Sequence, residues 1–234
     1  MKRIDPTLDA AKRNAAIRAV AAVERKMVLG LGSGSTASIA IALIGEKVAQ
    51  GLEVTGIPTS ERTAQLARKV GIPLTDFGQH RRIDLTIDGA DQIEDGTLHL
   101  IKGLGGALLR EKIVAEASAR MIVVADHTKL VHALGPATSL PVEIVPFGWE
   151  LALEKIVALG CTATLRRQEE IFVTDGGNFI ADCRFAQIPD AALLQAQLKR
   201  ITGVIETGLF VGLASQAILG GDQGVTVLER QSRR

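Results

Sequence analysis

The strongest constraint on this chain is a repeated alternation of short apolar runs with helix-length amphipathic segments. "KMVLGLG", "LEVTGIPTS", "DLTIDGAD" and "MIVVADHTK" read as strands, each ending in a turn or polar loop. Residues 36–50, "ERTAQLARKVG" and "GGALLREKIVAEASA" read as the helices between them. Residues 7–25 precede the first strand as a further helix, with an apolar stripe of Leu8, Ala11, Ala15, Ala19, Ala22 and Val23. Successive β–α units of this kind build an α/β fold, an open, mostly parallel sheet with helices on both faces. Ser35 or Thr36 is able to cap the helix over 36–50, and Gly71 stops the next one.

The rhythm changes after about residue 137. "LPVEIVPF" reads as a strand, "GWELALEKIVALG" as a helix and "TATLRRQ" as a strand. "EEIFVTDGGNFIADCRF" reads as a hairpin or two short strands about Asp175-Gly176-Gly177, "DAALLQAQLKRI" as a helix and "GVIETGLFVGLA" as a strand. The order β-α-β-β-α-β is that of a small ferredoxin-like α+β domain, expected over 137–210. Residues 1–136 and 211–234 then form the larger α/β domain, with "QAILGGDQGVTVLER" returning to the first sheet.

The loop in "VLGLGSGSTASIA" has the composition of a phosphate cradle. A nucleotide P-loop needs a lysine before its Ser/Thr, and Gly34 is followed directly by Ser35 and Thr36. A dinucleotide fingerprint begins at Gly30-Leu31-Gly32, but Ser35 takes its third glycine, and Glu53 and Glu61 both miss the end of the second strand. What remains is a strand, a turn and a helix start whose N–H groups and hydroxyls bind an anion without a cationic side chain. A tight turn that needs glycine only for its backbone is the alternative.

Net charge is +1, from 27 Lys+Arg against 26 Asp+Glu, which excludes a bulk nucleic-acid binder and a polybasic membrane surface. The arginines of "RRIDLT" and "RQSRR" read as solvated surface or a frayed tail. The charged opening segment reads as neither signal peptide nor membrane span. Cys161 and Cys183 form no CxxC and read as buried free thiols of a reducing cytoplasm. The four histidines do not cluster, so no metal site is expected.

Three segments with polar candidates remain, at strand ends and on one helix. Asp88 ends the third strand and Asp91 follows across Gly89-Ala90, where two carboxylates bind a divalent metal, share a proton or, as fits better here, bind sugar hydroxyls; solvated aspartates of an Asx turn are the alternative. Lys102 precedes a second glycine-rich turn, Gly103 to Gly106, which opens a helix carrying Glu111. The i±3 and i±4 neighbours of Glu111 are Ala107, Leu108, Val114 and Ala115, all apolar, and Leu109 and Ile113 suggest a second buried face. A carboxylate in such a stripe has a raised pKa suited to a general base. A surface Glu111 paired with Arg110 or Lys112 is the alternative. Asp126 and Lys129 follow the fourth strand, and Lys129 is placed to hold a phosphate.

Together, "GLGSGSTA", "TSERT", "DLTIDGADQI", "KGLGGALLREKIVA", "ADHTKLV" and "TDGGNFIAD" resemble, in order, the signature segments of type A ribose-5-phosphate isomerases. The resemblance implies interconversion of D-ribose 5-phosphate and D-ribulose 5-phosphate in the pentose phosphate pathway. It implies no metal or organic cofactor and a cytoplasmic homodimer or homotetramer. Glu111 matches the catalytic base, and Asp88, Asp91 and Lys102 match active-site polar residues. Substrate-binding positions are implied at Ser33, Gly34, Ser35 and Thr36, at Asp88, Gly89, Ala90 and Asp91, at Lys102, Gly103, Leu104 and Gly105, and at Lys129. Ser33 stands where many members have threonine. Leu104 interrupts a run of glycines seen in some members, which leaves open which turn amides face the substrate. Chemically, an enediolate needs a base, which Glu111 supplies, and oxyanion donors, which Lys102 and the turn amides supply. Ring opening needs acid–base help, for which Asp88 is the candidate. A related sugar-phosphate isomerase or a coenzyme A transferase of similar fold, and a non-catalytic sugar-phosphate sensor, are the rival readings.

Overall fold

The computed structural model describes residues 6–221 and 224–230; the segments 1–5, 222–223 and 231–234, with most of the "RQSRR" tail, lie outside the described residues. Helix α1 (Pro6–Val20) leads into strand β1 (Val28–Leu31), followed by α2 (Ser35–Ala49), β2 (Thr55–Pro58), α3 (Glu61–Lys69) and β3 (Leu85–Asp88). Two short strands, β4 (Gln92–Glu94) and β5 (Leu100–Ile101), precede α4 (Leu108–Glu116) and β6 (Met121–Asp126). Then come β7 (Leu130–Val131), β8 (Leu140–Ile144), α5 (Trp149–Val157), β9 (Thr162–Leu165), β10 (Phe179–Arg184) and α6 (Ala191–Lys199). Strands β11 (Val204–Thr207), β12 (Leu209–Phe210), β13 (Gln216–Gly221) and β14 (Gly224–Glu229) complete the order.

The main sheet runs β14-β13-β6-β3-β1-β2. All its pairings are parallel except the β13–β14 hairpin at one edge. Strand β6 is buried along its whole length, and its side chains alternate between two cores. Ile122 and Val124 join the layer formed with α1 and α2 through Ala15, Ala19, Ile41 and Ile44. Met121, Val123 and Ala125 face the opposite layer, with Ala115 of α4 and Phe210. Helices therefore cover both faces, as the alternating pattern requires. The chain leaves β1 first for β2 on one side and later for β3 on the other. The carboxyl ends of β1 and β3 thus flank the switch point, where open α/β sheets bind ligands.

The second sheet, β11-β8-β10-β9, is antiparallel throughout and has the strand order of a ferredoxin-like unit, with α5 and α6 packed on it. The third sheet, β12-β5-β4-β7, has no counterpart in the sequence reading. Strands of two or three residues carry no periodic signal, and only long-range pairing makes them.

Several local expectations change. The opening helix stops at Val20, because residues 21–23 turn back through short-range bonds such as Val23 N–H to the Val20 carbonyl. Gly34, with φ 98°, takes the N-cap position of α2, and no side chain caps it, so neither Ser35 nor Thr36 serves. The arm before Asp175 is not a strand; it folds on itself, with Phe172 N–H bonded to the Arg166 carbonyl. "GVIETGLFVGLA" is two strands in two sheets, divided at Gly208. Ile113 is exposed, and Lys112 is buried in its place.

Gly208 is the crossing between the second and third sheets. Its N–H donates to the Pro141 carbonyl and its carbonyl accepts from Lys102 N–H. A Cβ there would stand 2.3 Å from the Lys102 carbonyl oxygen. Gly208→Ala is therefore expected to destabilise the chain by about 1–3 kcal/mol, as overpacking does. A lowered urea midpoint at unchanged m-value checks this.

Candidate active site

A cleft of about 640 Å³ opens over the carboxyl ends of β1, β3 and β6. Its walls come from the first glycine loop, Gly89 to Asp91, Lys102, Gly103, Gly105, Glu111, Ala125, Asp126, Thr128 and Lys129. Of the residues singled out in the sequence, Ser33 to Thr36, Gly89, Ala90, Asp91, Lys102, Gly103, Gly105, Glu111 and Lys129 line it. Asp88 and Leu104 do not: Asp88 lies buried behind Lys102, and Leu104 is exposed. Helix α1 adds Leu8, Asp9 and Lys12 to the wall. Nothing in the sequence separates Lys12 from the other surface charges of an ordinary helix.

At the floor, one ammonium is held between two carboxylates. Lys102 Nζ is 3.0 Å from Asp88 Oδ2 and 3.4 Å from Glu111 Oε1, and it donates to the Gly89 carbonyl at 2.6 Å. Side-chain exposure is 2%, 0% and 6% for the lysine, the aspartate and the glutamate, so water screens none of them. Burial alone would lower the Lys102 pKa, but the charges of Asp88, Glu111 and Asp91 outweigh it and raise it. The lysine therefore stays cationic.

One cation cannot neutralise both buried carboxylates, so the site favours a proton on one of them. Asp88 Oδ1 accepts the N–H groups of Ser33 at 2.9 Å and Gly89 at 2.7 Å, which stabilise the ionised form. Glu111 has only the more distant contact with Lys102, and its Oε2 is buried without a hydrogen bond. Burial, followed by the repulsion of Asp88 and Asp91, pushes Glu111 up to about 8 against the pull of Lys102. Burial also raises Asp88, opposed by Lys102 and the two amides. The apolar neighbours Leu108, Val114 and Ala115 are buried around Glu111, as its helical spacing requires. The alternative pairings go elsewhere: Arg110 meets Glu61 at 2.8 Å, and Lys112 meets Glu206 at 2.8 Å.

The glycine loop has two distinct roles. Gly32 packs against Asp88, where a Cβ would fall 2.2 Å from Oδ1. Further on, the uncapped start of α2 leaves N–H groups of its first turn without helical acceptors, an anion site beside the cleft-lining Lys12 and Lys129. The Ser33 hydroxyl is engaged by Thr59 Oγ1, Ser60 Oγ and Thr63 Oγ1 at 2.9, 2.9 and 3.1 Å. "TSERT" is thus a brace for the loop. Asp91 Oδ2 accepts the Leu104 N–H at 3.0 Å, tying the acidic loop to the second glycine turn. Among the described residues, no three His, Cys, Asp or Glu side chains converge as metal ligands.

A buried carboxyl with a raised pKa, a fixed ammonium and an anion site share one cleft of an α/β sheet, an arrangement suited to aldose–ketose isomerisation. Residues 55–224 match the family model of ribose 5-phosphate isomerase A (phosphoriboisomerase A). The chain belongs to the ribose-5-phosphate isomerase A family, which interconverts ribose 5-phosphate and ribulose 5-phosphate. It is 54% identical to the ribose-5-phosphate isomerase A of Gloeobacter violaceus, across 94% of this chain and 96% of that one. The solved ribose 5-phosphate isomerase of Plasmodium falciparum superposes with a TM-score of 0.92 at 39% identity, covering 96% of this chain and 100% of that one. A solved D-ribose-5-phosphate isomerase in complex with phospho-erythronic acid gives a TM-score of 0.92 at 38% identity, covering 95% and 99%.

The raised Glu111 pKa links stability to pH. Between the ordinary value of 4.5 and about 8, folded Glu111 holds a proton that the unfolded chain has released. Its contribution to stability therefore falls as pH rises through that window. Glu111→Gln carries no such loss. Urea unfolding is expected to show the variant gaining on the wild type from about pH 5 to pH 9; a constant difference would mean an ordinary glutamate.

Proposed function

We propose that Glu111 is the base that carries the proton between C2 and C1 of the open-chain sugar phosphate. The observation that carries this reading is its buried Oε2, free of hydrogen bonds, in a cleft-lining carboxyl whose pKa is pushed up to about 8. The ionised carboxylate takes the C2 proton, and the electron pair forms the C1–C2 double bond as charge moves onto O1. Lys102 and the amides of the turn at Gly103 stabilise that oxyanion. Return of the proton to C1, with transfer of the O2 proton to O1, leaves the ketose. Ring opening moves a proton from the anomeric hydroxyl to the ring oxygen. We assign it to Asp88 and Asp91 together: Asp91 faces the cleft, and Asp88 has a spare acceptor oxygen beside Lys102.

The phosphate is assigned to the N-terminus of α2 with Lys12 and Lys129. The relative bound to phospho-erythronic acid supports a cleft that takes an acyclic phosphorylated hydroxy acid. The Lys102 ammonium occupies the space between the two carboxylates, which supports a reaction without a metal or organic cofactor. The reading includes a catalytic unit of residues 1–136 and 211–234, with the small unit over 137–210. It also includes a cytoplasmic homodimer or homotetramer. Free, buried Cys161 and Cys183 support a reducing compartment, and Phe147, 94% exposed near exposed Leu151, supports association between copies. No described helix is long and apolar enough to cross a membrane.

Turnover of ribose 5-phosphate, with chelator present, tests the reading. Glu111→Gln is expected to lower kcat by about 10²-fold or more, the cost of losing a general base. A near-wild-type rate would put the base elsewhere. Lys129→Ala is expected to raise KM about tenfold with kcat little changed, and the difference should shrink in high salt.

A further inference from the structure

The second glycine turn is gripped from the small sheet by one side chain. Arg166, just after β9, donates from Nη1 to the carbonyl oxygens of Gly103 and Leu104, each at 3.0 Å. The rest of the guanidinium forks onto Asp182 of β10, Nε to Oδ2 at 2.8 Å and Nη2 to Oδ1 at 2.5 Å. Its planar group also lies 5.8 Å from the centre of the Phe172 ring. Phe172 in turn packs on Gly106, where a Cβ would stand 2.4 Å from Cζ. Arg166 does not line the cleft, and its side chain is 12% exposed.

The two carbonyls belong to consecutive peptide units. None of the described peptide bonds is cis, so in each unit the N–H points opposite to the C=O. Holding the Gly103 oxygen turns the Leu104 N–H away from Arg166, and that N–H meets Asp91 Oδ2 at 3.0 Å. Holding the Leu104 oxygen turns the Gly105 N–H away in the same manner. Gly105 lines the cleft, and its N–H has no acceptor among the described residues. A charge-assisted bond on a carbonyl also polarises the N–H across the same peptide and makes it a stronger donor.

We propose that Arg166, fixed by Asp182 and Phe172, is a positioning residue that aims the Leu104 amide at Asp91 and the Gly105 amide at the developing oxyanion. The proposal rests on the isomerase reading above. It assigns Gly105 as the amide that the interrupted glycine run left open. The assignment also explains why an exposed leucine is tolerated between the glycines: the Leu104 amide is committed to Asp91, and its side chain points to solvent.

The test compares wild type, Arg166→Met and Asp182→Asn in ribose 5-phosphate turnover, with inhibition by phospho-erythronic acid and by inorganic phosphate. Removing an oxyanion donor costs about 10²–10³ in kcat; a misaimed donor is expected to cost at least about tenfold in Arg166→Met. KM and inhibition by inorganic phosphate should stay within about threefold, while phospho-erythronic acid, whose carboxylate imitates the enediolate, binds more weakly. Loss of folding alone would not produce that split. A folded Arg166→Met with kcat within about threefold of wild type, or with equal losses against both inhibitors, overturns the proposal. Should Arg166→Met fail to fold, Asp182→Asn decides: at least about a threefold loss of kcat with unchanged phosphate inhibition supports it, and unchanged kcat overturns it. A wild type that turns over ribose 5-phosphate beside an unaffected variant refutes only the positioning role. An inactive wild type refutes the isomerase reading and the proposal with it.

Discussion

The site is organised around a buried ammonium. Lys102 has lost nearly all its water, and such a charge persists only where partners replace the solvent. Asp88, Glu111 and the Gly89 carbonyl are those partners, and each arrives on a different kind of segment: a strand end, a helix and a loop. The backbone around the lysine is no freer. Its N–H is tied to Gly208, and its ammonium lies 5.4 Å from the centre of the Phe210 ring. Because one cation faces two carboxylates, the weaker-held carboxyl keeps a proton near neutrality. The Glu111 carboxyl is thus tuned by unequal sharing of a single counter-charge.

The two-lobed architecture follows from the needs of that cluster. The main sheet supplies Asp88 and the anion site at its switch point. The small sheet adds nothing to the cleft lining but holds the helix and turn that do. Lys112, one residue from Glu111, is bound by Glu206 and by the Thr207 carbonyl. Glu143 of β8, buried with Thr174 and Asn178 as donors, also takes a backbone hydrogen bond from Leu109 of α4. Arg166 holds the turn itself. These contacts are charged or hydrogen-bonded and directional, which suits setting an orientation better than apolar packing does.

Much of this was legible in the sequence where the signal is local. The alternation of apolar runs and helices gave the main sheet, and the split β-α-β-β-α-β order gave the small one. Glu111 stood out because its helical neighbours are apolar. What escaped depends on distance. Strands β5 and β12 have two residues each; β12 is a strand only through β5, and β5 only through β12 and β4. Lys12 looks like any helix surface charge until α1 packs beside the cleft. Lys112 was readable as solvated because its partners lie 94 and 95 residues away. Arg166 acts on carbonyl oxygens, which no side-chain motif encodes.

The placement of β13 has a consequence for how the molecule is made. That strand pairs with β6, whose other neighbour is β3, and β12 supplies the pairing beside Lys102. While a nascent chain emerges from its N-terminus, β6 remains an open edge of unpaired backbone until residues 216–221 are available. Lys102 likewise lacks its tether to Gly208. A chain stopped before residue 208 thus lacks both the backbone tether of Lys102 and the partner of the β6 edge.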